Sequence, residues 1–122
     1  MIVGIQDVYY SVTDTKRAIR FYTEALGMKL LEESEHWIAL DCCGTRIGLH
    51  PGAESIPLVP RDSHGAHAGA TLTLKSDDVS GDRKRLEAFG AKVLSEDDQP
   101  WGHMLVFEDP DGNVLKLMRP KY

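Results

Sequence analysis

Hydrophobic and polar residues alternate in four short segments of the chain. Alternation places the apolar side chains on one face of a strand and the polar or mixed side chains on the other. The segments are Asp7–Val12, Arg46–His50, Thr71–Lys75 and Val114–Met118. We expect each apolar face to pack against a helix. The mixed faces are then either open to water or curved around a polar ligand.

Two other segments have apolar residues at the three- and four-residue spacing of a helix. The first begins after Asp14, and the second begins near Asp77 or Asp78. Aspartate is a favoured N-cap, and glycine is the favoured residue just past a helix end. Both segments end at a glycine: Gly27 and Gly90. Gly81 weakens the second helix by about 1 kcal/mol relative to alanine.

The two halves of the chain resemble each other. Asp14–Leu31 aligns with Asp77–Leu94 at an offset of 63, and Asp41–Leu49 aligns with Asp109–Leu117 at an offset of 68. Each half contains a helix with an acidic start, a strand and a hairpin in the same order, which predicts a duplicated module. The extra residues of the second half lie before its last hairpin, around Asp98–Gly102.

Turn residues mark the last hairpin and the boundary between the halves. In Asp109–Asn113, Pro110 presets φ for a type I turn and Gly112 accepts a left-handed conformation. We expect Asp41–Gly44 to be the equivalent turn in the first half. Pro51–Gly69 is rich in proline, glycine and serine and is predicted to link the two modules.

Composition and charge narrow the possible functions. The chain has 122 residues, which suits one domain, and its net charge of −5 argues against non-specific binding to nucleic acid. No apolar run approaches the roughly 20 residues of a membrane helix, and no secretory signal is visible. The two cysteines, Cys42 and Cys43, are adjacent and cannot form a disulfide framework, and we assign them no function. We therefore expect a cytoplasmic protein that contacts neither membranes nor nucleic acids.

The segment Asp14–Gly27 resembles the "D…A…FY…LG" opening of vicinal oxygen chelate proteins, and Asp109–Asn113 matches their "DPDGN" turn. This superfamily includes glyoxalase I, extradiol dioxygenases, fosfomycin-resistance enzymes, methylmalonyl-CoA epimerase and bleomycin-resistance proteins. The resemblance implies an α+β fold in which two tandem βαβββ modules form an open, cup-shaped mixed sheet with the helices on its outer face. One domain would then cover residues 1–122, with modules at about 1–50 and 70–122 and a linker at about 51–69.

The resemblance also implies four metal-ligand positions on the concave face. They fall on Asp7, Gly48, Thr71 and Lys116. Of these, Asp7 alone is a competent ligand, since divalent cations prefer carboxylates, imidazoles or carbonyls. At roughly 4 Å and an effective dielectric near 20, the Lys116 ammonium costs about 4 kcal/mol per unit of metal charge. We therefore expect no cofactor, with a displaced divalent metal on Asp7 and His50 as the alternative.

Several side chains are candidates for contacts with a ligand. They are Asp7, Tyr9, Trp37, His50, Thr71, Thr73, Trp101, Lys116 and Met118. The tryptophans could form a pocket wall or could pack in a core or a dimer interface. Lys116 could hold an anionic ligand or could pair with Asp7.

The histidines leave further alternatives open. His103 precedes a strand and is a candidate proton shuttle. His50 is a candidate metal ligand or a plain surface residue. His64 and His67 could chelate a metal, form part of a lid, or be solvated loop residues.

These observations favour a small-molecule-binding protein, expected to be a homodimer, that captures an organic ligand without metal. Such a protein would be similar to bleomycin-resistance proteins, which sequester a drug. The alternative is an enzyme, namely a glyoxalase-like lyase, an isomerase or a dioxygenase. It would use Asp7 and His50 on a displaced metal, or Lys116 and His103 as a metal-free acid and base. A third possibility is a degenerate member that only assembles with other proteins.

Overall fold

The chain folds as two βαβββ modules, each with its own four-stranded sheet. A computed structural model describes residues 1–56, 61–66 and 69–122. The chain consists of two compact units, Met1–Ile56 and Pro57–Tyr122. Within the predicted linker, residues 57–60 and 67–68 lie outside the described residues, and so does His67 as a candidate metal ligand.

The two modules share one topology. The first contains β1 (Val8–Ser11), α1 (Thr15–Arg20), β2 (Lys29–Glu33), β3 (Ile38–Cys42) and β4 (Thr45–His50). The second contains β5 (Leu72–Lys75), α2 (Val79–Ala88), β6 (Lys92–Gln99), β7 (Gly102–Glu108) and β8 (Val114–Pro120). The strand orders are β1-β4-β3-β2 and β5-β8-β7-β6, with β1–β4 and β5–β8 parallel and the other pairs antiparallel. The predicted α+β fold and its duplication are confirmed.

Both helices begin at the predicted aspartates. The Asp14 carboxylate accepts a hydrogen bond from the backbone N–H of Arg17, and the Asp78 carboxylate accepts one from the N–H of Gly81, both at 3.1 Å. A Cβ at Gly81 would lie 2.2 Å from Asp78 Oδ2. Glycine lowers the stability of this helix, but its lack of a side chain leaves room for the capping carboxylate of Asp78. Both helices are followed by glycines with left-handed φ, Gly27 and Gly90.

The first helix departs from regular geometry after α1. Residues Phe21–Ala25 form a π-helical turn, closed by the Leu26 N–H donating to the Phe21 carbonyl at 3.1 Å. Phe21 and its neighbour Tyr22 are both fully buried, and their rings meet edge to face at 5.7 Å. A wider turn allows two consecutive aromatic side chains to enter the core, which a regular helical face would not.

The apolar sheet faces and the helices form the core of each module. The buried residues of the first include Ala18, Phe21, Tyr22, Ile38, Leu40, Ile47 and Leu49. Those of the second include Val79, Leu86, Leu105, Phe107, Leu115 and Leu117, and α2 packs on β6, β7 and β8. The expectation for Val8 is only partly met, since this residue of edge strand β1 is 40% exposed. No helix of the described residues is long and apolar enough to cross a membrane.

The turn between β7 and β8 is organised by one buried carboxylate. Asp109 is 3% exposed, and its Oδ1 accepts the backbone N–H groups of Asp111 and Asn113, each at 2.9 Å. Its Oδ2 accepts the side-chain amide of Asn113 at 3.1 Å. Gly112 has φ of 89°, so the predicted turn is confirmed, including its need for glycine.

The equivalent turn in the first module is simpler. Asp41 Oδ1 accepts the backbone N–H of Gly44 at 3.1 Å, as the alignment of the two halves predicts. Cys43 and Gly44 both have positive φ, at 50° and 95°. Burial is the main cause that raises the pKa of the Cys42 thiol, followed by its neighbour Cys43. A thiol with a raised pKa is a poor nucleophile at neutral pH, which agrees with assigning it no reaction.

The extra residues of the second half extend one hairpin. Strands β6 and β7 have 8 and 7 residues, whereas β2 and β3 have 5 each. The added length lies at the tip around Asp98–Gly102, where the offset between the halves placed it. This extension carries Trp101, one of the predicted ligand-contacting residues.

Candidate functional site

A cavity of about 320 Å³ lies against the second sheet, on the face opposite α2. We call this surface the open face of the second sheet. Cross-strand register aligns Thr73, Lys116, Val106 and Ser95 across it. The cavity is lined by Asp62, His64, Ala66, Ser95, Asp97, Gln99, Trp101, Met104, Val106 and Lys116. Its volume is at the lower end of the range for drug-sized ligands.

Residues 61–66 form one wall of this cavity, and we call them the strap. Three contacts fix the strap to the sheet. Arg61 Nη2 lies 2.7 Å from Glu108 Oε1, and the Ser95 hydroxyl donates to the His64 carbonyl at 2.7 Å. Ala66 is buried with Val106, Val114 and Leu94. The strap is therefore a folded wall whose side chains reach the cavity at Asp62 and His64.

Lys116 is the cation of the cavity wall. It lies on the central strand pair, beside Val106 on β7 and Thr73 on β5, and it is partly buried. No described residue of the second module makes an ion pair or a hydrogen bond with its ammonium group. The alternation of β8 correctly predicted that Lys116 faces away from the helix.

The two carboxylates of the cavity wall already accept hydrogen bonds from the protein. Asp62 Oδ1 accepts the backbone N–H groups of His64 at 2.8 Å and Ala66 at 3.1 Å. Both oxygens of Asp97 accept from the Gln99 side-chain amide, at 3.0 and 2.9 Å. Much of the acceptor capacity of these carboxylates is therefore used within the wall.

Trp101 lies at the tip of the β6–β7 hairpin and borders the cavity. Its side chain is 50% exposed, so one part of the indole touches the wall while another part faces solvent. Met104 and Val106 supply buried apolar surface next to it. A flat, exposed indole beside apolar side chains is suited to contact an aromatic ligand.

Three aromatic side chains gather on the open face of the first sheet, and we call them the aromatic cluster. Ring centroids are 5.4 Å apart for Tyr9 and Trp37, 6.1 Å for Tyr9 and His50, and 6.4 Å for Trp37 and His50. Gly48 lies beneath them, paired with Tyr9 on the neighbouring strand. A Cβ at Gly48 would be 2.2 Å from Trp37 Cζ2, so the indole occupies the space of a side chain there.

His103 lies on the other face of the second sheet, the one covered by α2. Its Nε2 is 2.8 Å from Glu96 Oε2, and Glu96 Oε1 accepts a hydrogen bond from Arg83 of α2 at 3.0 Å. Lys116 lines the cavity on the opposite face. The expected pairing of His103 and Lys116 as acid and base is therefore corrected, because a sheet separates them.

The contacts of Glu96 predict a pH dependence of stability. The hydrogen bond from Arg83, and then that from His103, holds the pKa of Glu96 below its ordinary value of 4.5. A lowered pKa in the folded state stabilises the protein above the unfolded-state pKa. Wild type should therefore melt at a higher temperature than Glu96→Gln at pH 7. This difference should shrink as the pH falls below about 4.5 and vanish below the folded pKa.

Thermal melts followed by circular dichroism between pH 3 and pH 7 measure this effect. Glu35→Gln is the control, since Glu35 is exposed in a loop of the first module. A difference between wild type and Glu96→Gln that persists unchanged at pH 3 would contradict the assigned role of Glu96.

The remaining predicted residues lie near these two surfaces. Thr73 is exposed beside Lys116, and Met118 pairs with Met104 in the ladder. Thr71 precedes β5 and is partly buried, and Asp7 precedes β1 and is partly buried. The structure adds cavity residues that sequence reasoning missed: Asp62, Ala66, Ser95, Asp97, Gln99, Met104 and Val106. Ser95, Asp97 and Gln99 alternate along β6, which was a usable signal.

The chain was compared with known protein families and with known proteins. A model of the glyoxalase/bleomycin resistance protein/dioxygenase superfamily covers residues 4–117. The chain belongs to this superfamily. The resemblance carried by Asp14–Gly27 and Asp109–Asn113 is thereby confirmed.

Similar proteins include both an enzyme and a binding protein. The chain is 25% identical over 118 residues to the metallothiol transferase FosB of Bacillus licheniformis, covering 95% of this chain and 75% of FosB. It is 30% identical to TnmS3, an antibiotic-binding protein from Streptomyces sp. CB03234, with 98% of each chain covered and a TM-score of 0.69. FosX from Listeria monocytogenes, in a complex with Mn(II) and sulfate, has a TM-score of 0.80 at 18% identity, covering 99% of this chain and 93% of FosX.

The side chains of this superfamily member do not fit the metal site that the resemblance implies. Gly48 offers no donor, and the Trp37 ring fills the space where one would stand. Lys116 presents a cation, and Thr71 presents a neutral hydroxyl in place of a charged or imidazole ligand. Across residues 1–56, 61–66 and 69–122, no group of three or more His, Cys, Asp or Glu side chains could hold a metal ion.

Proposed function

We propose that the protein binds a small aromatic organic molecule without a metal ion, in the cavity on the open face of the second sheet. The observation that carries this proposal is the Lys116 ammonium in the cavity wall, at a position where the resemblance implies a metal ligand. Binding in place of turnover is supported by the separation of His103 from Lys116. The 30% identity to an antibiotic-binding protein supports the same function.

The cavity wall contains the two kinds of surface that such a ligand needs. Met104, Val106 and Trp101 offer apolar and aromatic contact, worth roughly 25 cal/mol for each Å² of apolar area removed from water. Ser95 and Lys116 offer polar contacts that orient the ligand. We therefore propose sequestration of an antibiotic-like aromatic compound as the biological role.

The aromatic cluster of Tyr9, Trp37 and His50 is a second proposed ligand-contacting surface. Tyr9 is 56% exposed, and its ring meets that of Trp37 at an interplanar angle of 68°. Exposed rings held at fixed angles give a rigid surface on which another aromatic group can stack. Asp7 is retained as a proposed ligand contact in the first module, and Thr71, Thr73 and Met118 are retained as proposed ligand contacts in the second.

We also propose that the protein acts as a homodimer in the cytoplasm. The N-terminal segment supports association, because Ile2, Val3 and Ile5 are 92%, 97% and 86% exposed. Contiguous exposed apolar side chains are typical of interaction surfaces. A reducing compartment agrees with two cysteines that are not joined in a disulfide.

A metal-dependent enzyme is the second candidate function, and the similarity to the metallothiol transferase FosB favours it. The donors available for a displaced ion in the first module are Asp7 and His50. Lyase, isomerase or dioxygenase activity would then depend on that ion. The donor set described above fits this candidate poorly.

Tryptophan fluorescence tests the two candidates, because one of the two tryptophans lies in each module. We expect flat aromatic antibiotics, such as anthracyclines, to quench the emission of EDTA-treated protein at micromolar concentration. In Trp37→Phe, which leaves Trp101 as the emitting residue, quenching should persist. Trp101→Leu should weaken binding about fivefold, as measured by calorimetry.

Mn(II), Zn(II) and Ni(II) provide the opposing measurement. We expect each ion, at 1 mM, to shift the melting temperature by less than 1 °C. An ion that does not bind the folded protein cannot raise its free energy of unfolding. Metal that copurifies near stoichiometrically, or a melting temperature that rises with added ion, would overturn the metal-free proposal in favour of the enzyme.

A further inference from the structure

We propose that Lys116 makes the cavity selective for aromatic molecules that carry an oxyanion, such as a carboxylate, a sulfonate or a phenolate. This inference rests on the proposed function and names the chemical class of its ligand. It starts from an imbalance in the cavity wall. One cation faces the cavity without a partner in the described second module, whereas both carboxylates accept hydrogen bonds from neighbouring groups.

The surroundings of Lys116 strengthen its attraction for an anion. Val106 is its direct cross-strand neighbour, and Met104 is one alternation further along the same strand; both are buried. An ammonium group beside apolar side chains interacts with a charge more strongly than one in bulk water, because the local dielectric is lower. A ligand oxyanion would therefore supply the partner that the wall lacks.

The two carboxylates keep their negative charge but lie on other elements than Lys116, with Asp97 two strands away on β6 and Asp62 on the exposed strap. Asp62 is turned toward the backbone of its own strap, where it accepts the N–H groups of His64 and Ala66. Asp97 accepts both its hydrogen bonds from Gln99, on the β6 side of the cavity. Lys116 lies across β7 from β6, so the cavity has a cationic wall at β8 and a hydrogen-bonded acidic wall at β6.

The position of Trp101 sets the shape of the ligand. It lies at the hairpin tip, while Lys116 lies near the middle of β8, so ring and charge contacts fall at different points of one cavity. Apolar contact with Met104 and Val106 fills the space between them. The structure thus assigns the ring system of the ligand to Trp101 and Met104, and its oxyanion to Lys116.

Two dyes with one skeleton test this assignment. 1-Anilinonaphthalene-8-sulfonate carries an anionic group, and N-phenyl-1-naphthylamine is the same molecule without it. Both dyes become fluorescent in apolar cavities. The ratio of their dissociation constants therefore reports the contribution of the charge. We expect Lys116→Met to lower the affinity for the sulfonate about tenfold and to leave the affinity for the neutral dye within twofold.

Control variants separate charge from shape and folding. Lys116→Arg should retain the preference for the sulfonate, and Lys84→Met, an exposed position on α2, should change neither dissociation constant. Lys116→Gln replaces Lys116→Met should the latter melt more than 5 °C below wild type. Raising the salt concentration from 50 to 500 mM should weaken sulfonate binding in wild type more than in Lys116→Met.

The outcomes distinguish this inference from the function on which it rests. If both dyes bind and their affinity ratio is the same in wild type and Lys116→Met, the charge assignment is overturned while aromatic binding stands. If neither dye binds folded wild-type protein, the proposed function itself is overturned. Loss of the sulfonate preference in Lys116→Met alone among the variants supports the inference.

Discussion

Asp109→Ala is expected to destabilise the protein by about 2–4 kcal/mol. The carboxylate is 3% exposed and accepts two backbone N–H groups and one side-chain amide. Truncation leaves these donors in the turn without the acceptor that satisfies them. Urea denaturation followed by circular dichroism measures the loss as a lower midpoint at an unchanged slope.

Asp41→Ala is the matched control, because Asp41 holds the equivalent place in the first module. Its carboxylate accepts one backbone N–H, that of Gly44, and is only partly buried. We expect a loss below about 1 kcal/mol for this variant. Equal losses at the two positions would show that burial of the acceptor does not decide the stability of these turns.

The helices and turns could be predicted from sequence because local chemistry determines them. Asp14 and Asp78 cap their helices through atoms three residues away, and Asp109 orders the turn through groups within four residues. Such contacts depend only on spacing along the chain. The π-helical turn was not predicted, since it arises where Phe21 and Tyr22 both enter the core.

The face on which a strand residue lies could be predicted only in strands whose hydrophobic and polar residues alternate. Lys116 was placed correctly because Leu115 and Leu117 flank it on β8. His103 was expected to precede a strand, whereas it lies within β7, and both faces of β7 are too apolar for alternation to show which one it occupies. There, buried Leu105 and Phe107 share the side of His103, whereas Met104 and Val106 face the cavity. The register between β7 and β8 shows which residues share a face, and this register cannot be derived from the sequence of one strand.

A lid that includes His64 was one alternative left open by the sequence, but the contacts that fix the strap could not be predicted because they are distant in sequence. Arg61 reaches Glu108, which is 47 positions away, and Ser95 reaches the carbonyl of His64 across 31 positions. The same residues, read locally, are a glycine- and serine-containing linker. Their role as a cavity wall follows from long-range contacts that composition does not encode.

Gly48→Ala is expected to destabilise the protein by about 1–3 kcal/mol, which is the usual effect of overpacking. The added Cβ would lie 2.2 Å from Trp37 Cζ2 and 3.1 Å from Tyr9 Cβ, so the indole must move. In a Trp37→Ala background the same change should lower stability by no more than about 0.5 kcal/mol. Alanine loses less backbone entropy on folding than glycine does, and this gain offsets part of the steric cost of the close contact with Tyr9.

A double-mutant cycle on Gly48 and Trp37, measured by urea denaturation, isolates this coupling. Gly102→Ala is the control, because its added Cβ would meet only the flexible Met118 Cε within 3 Å, which can turn aside. Additivity of the Gly48 and Trp37 changes within about 0.5 kcal/mol would show that the indole does not fill this space. Trp37 would then not exclude a metal-ligating side chain at position 48, whereas strong coupling means that the indole fills the space that such a side chain needs.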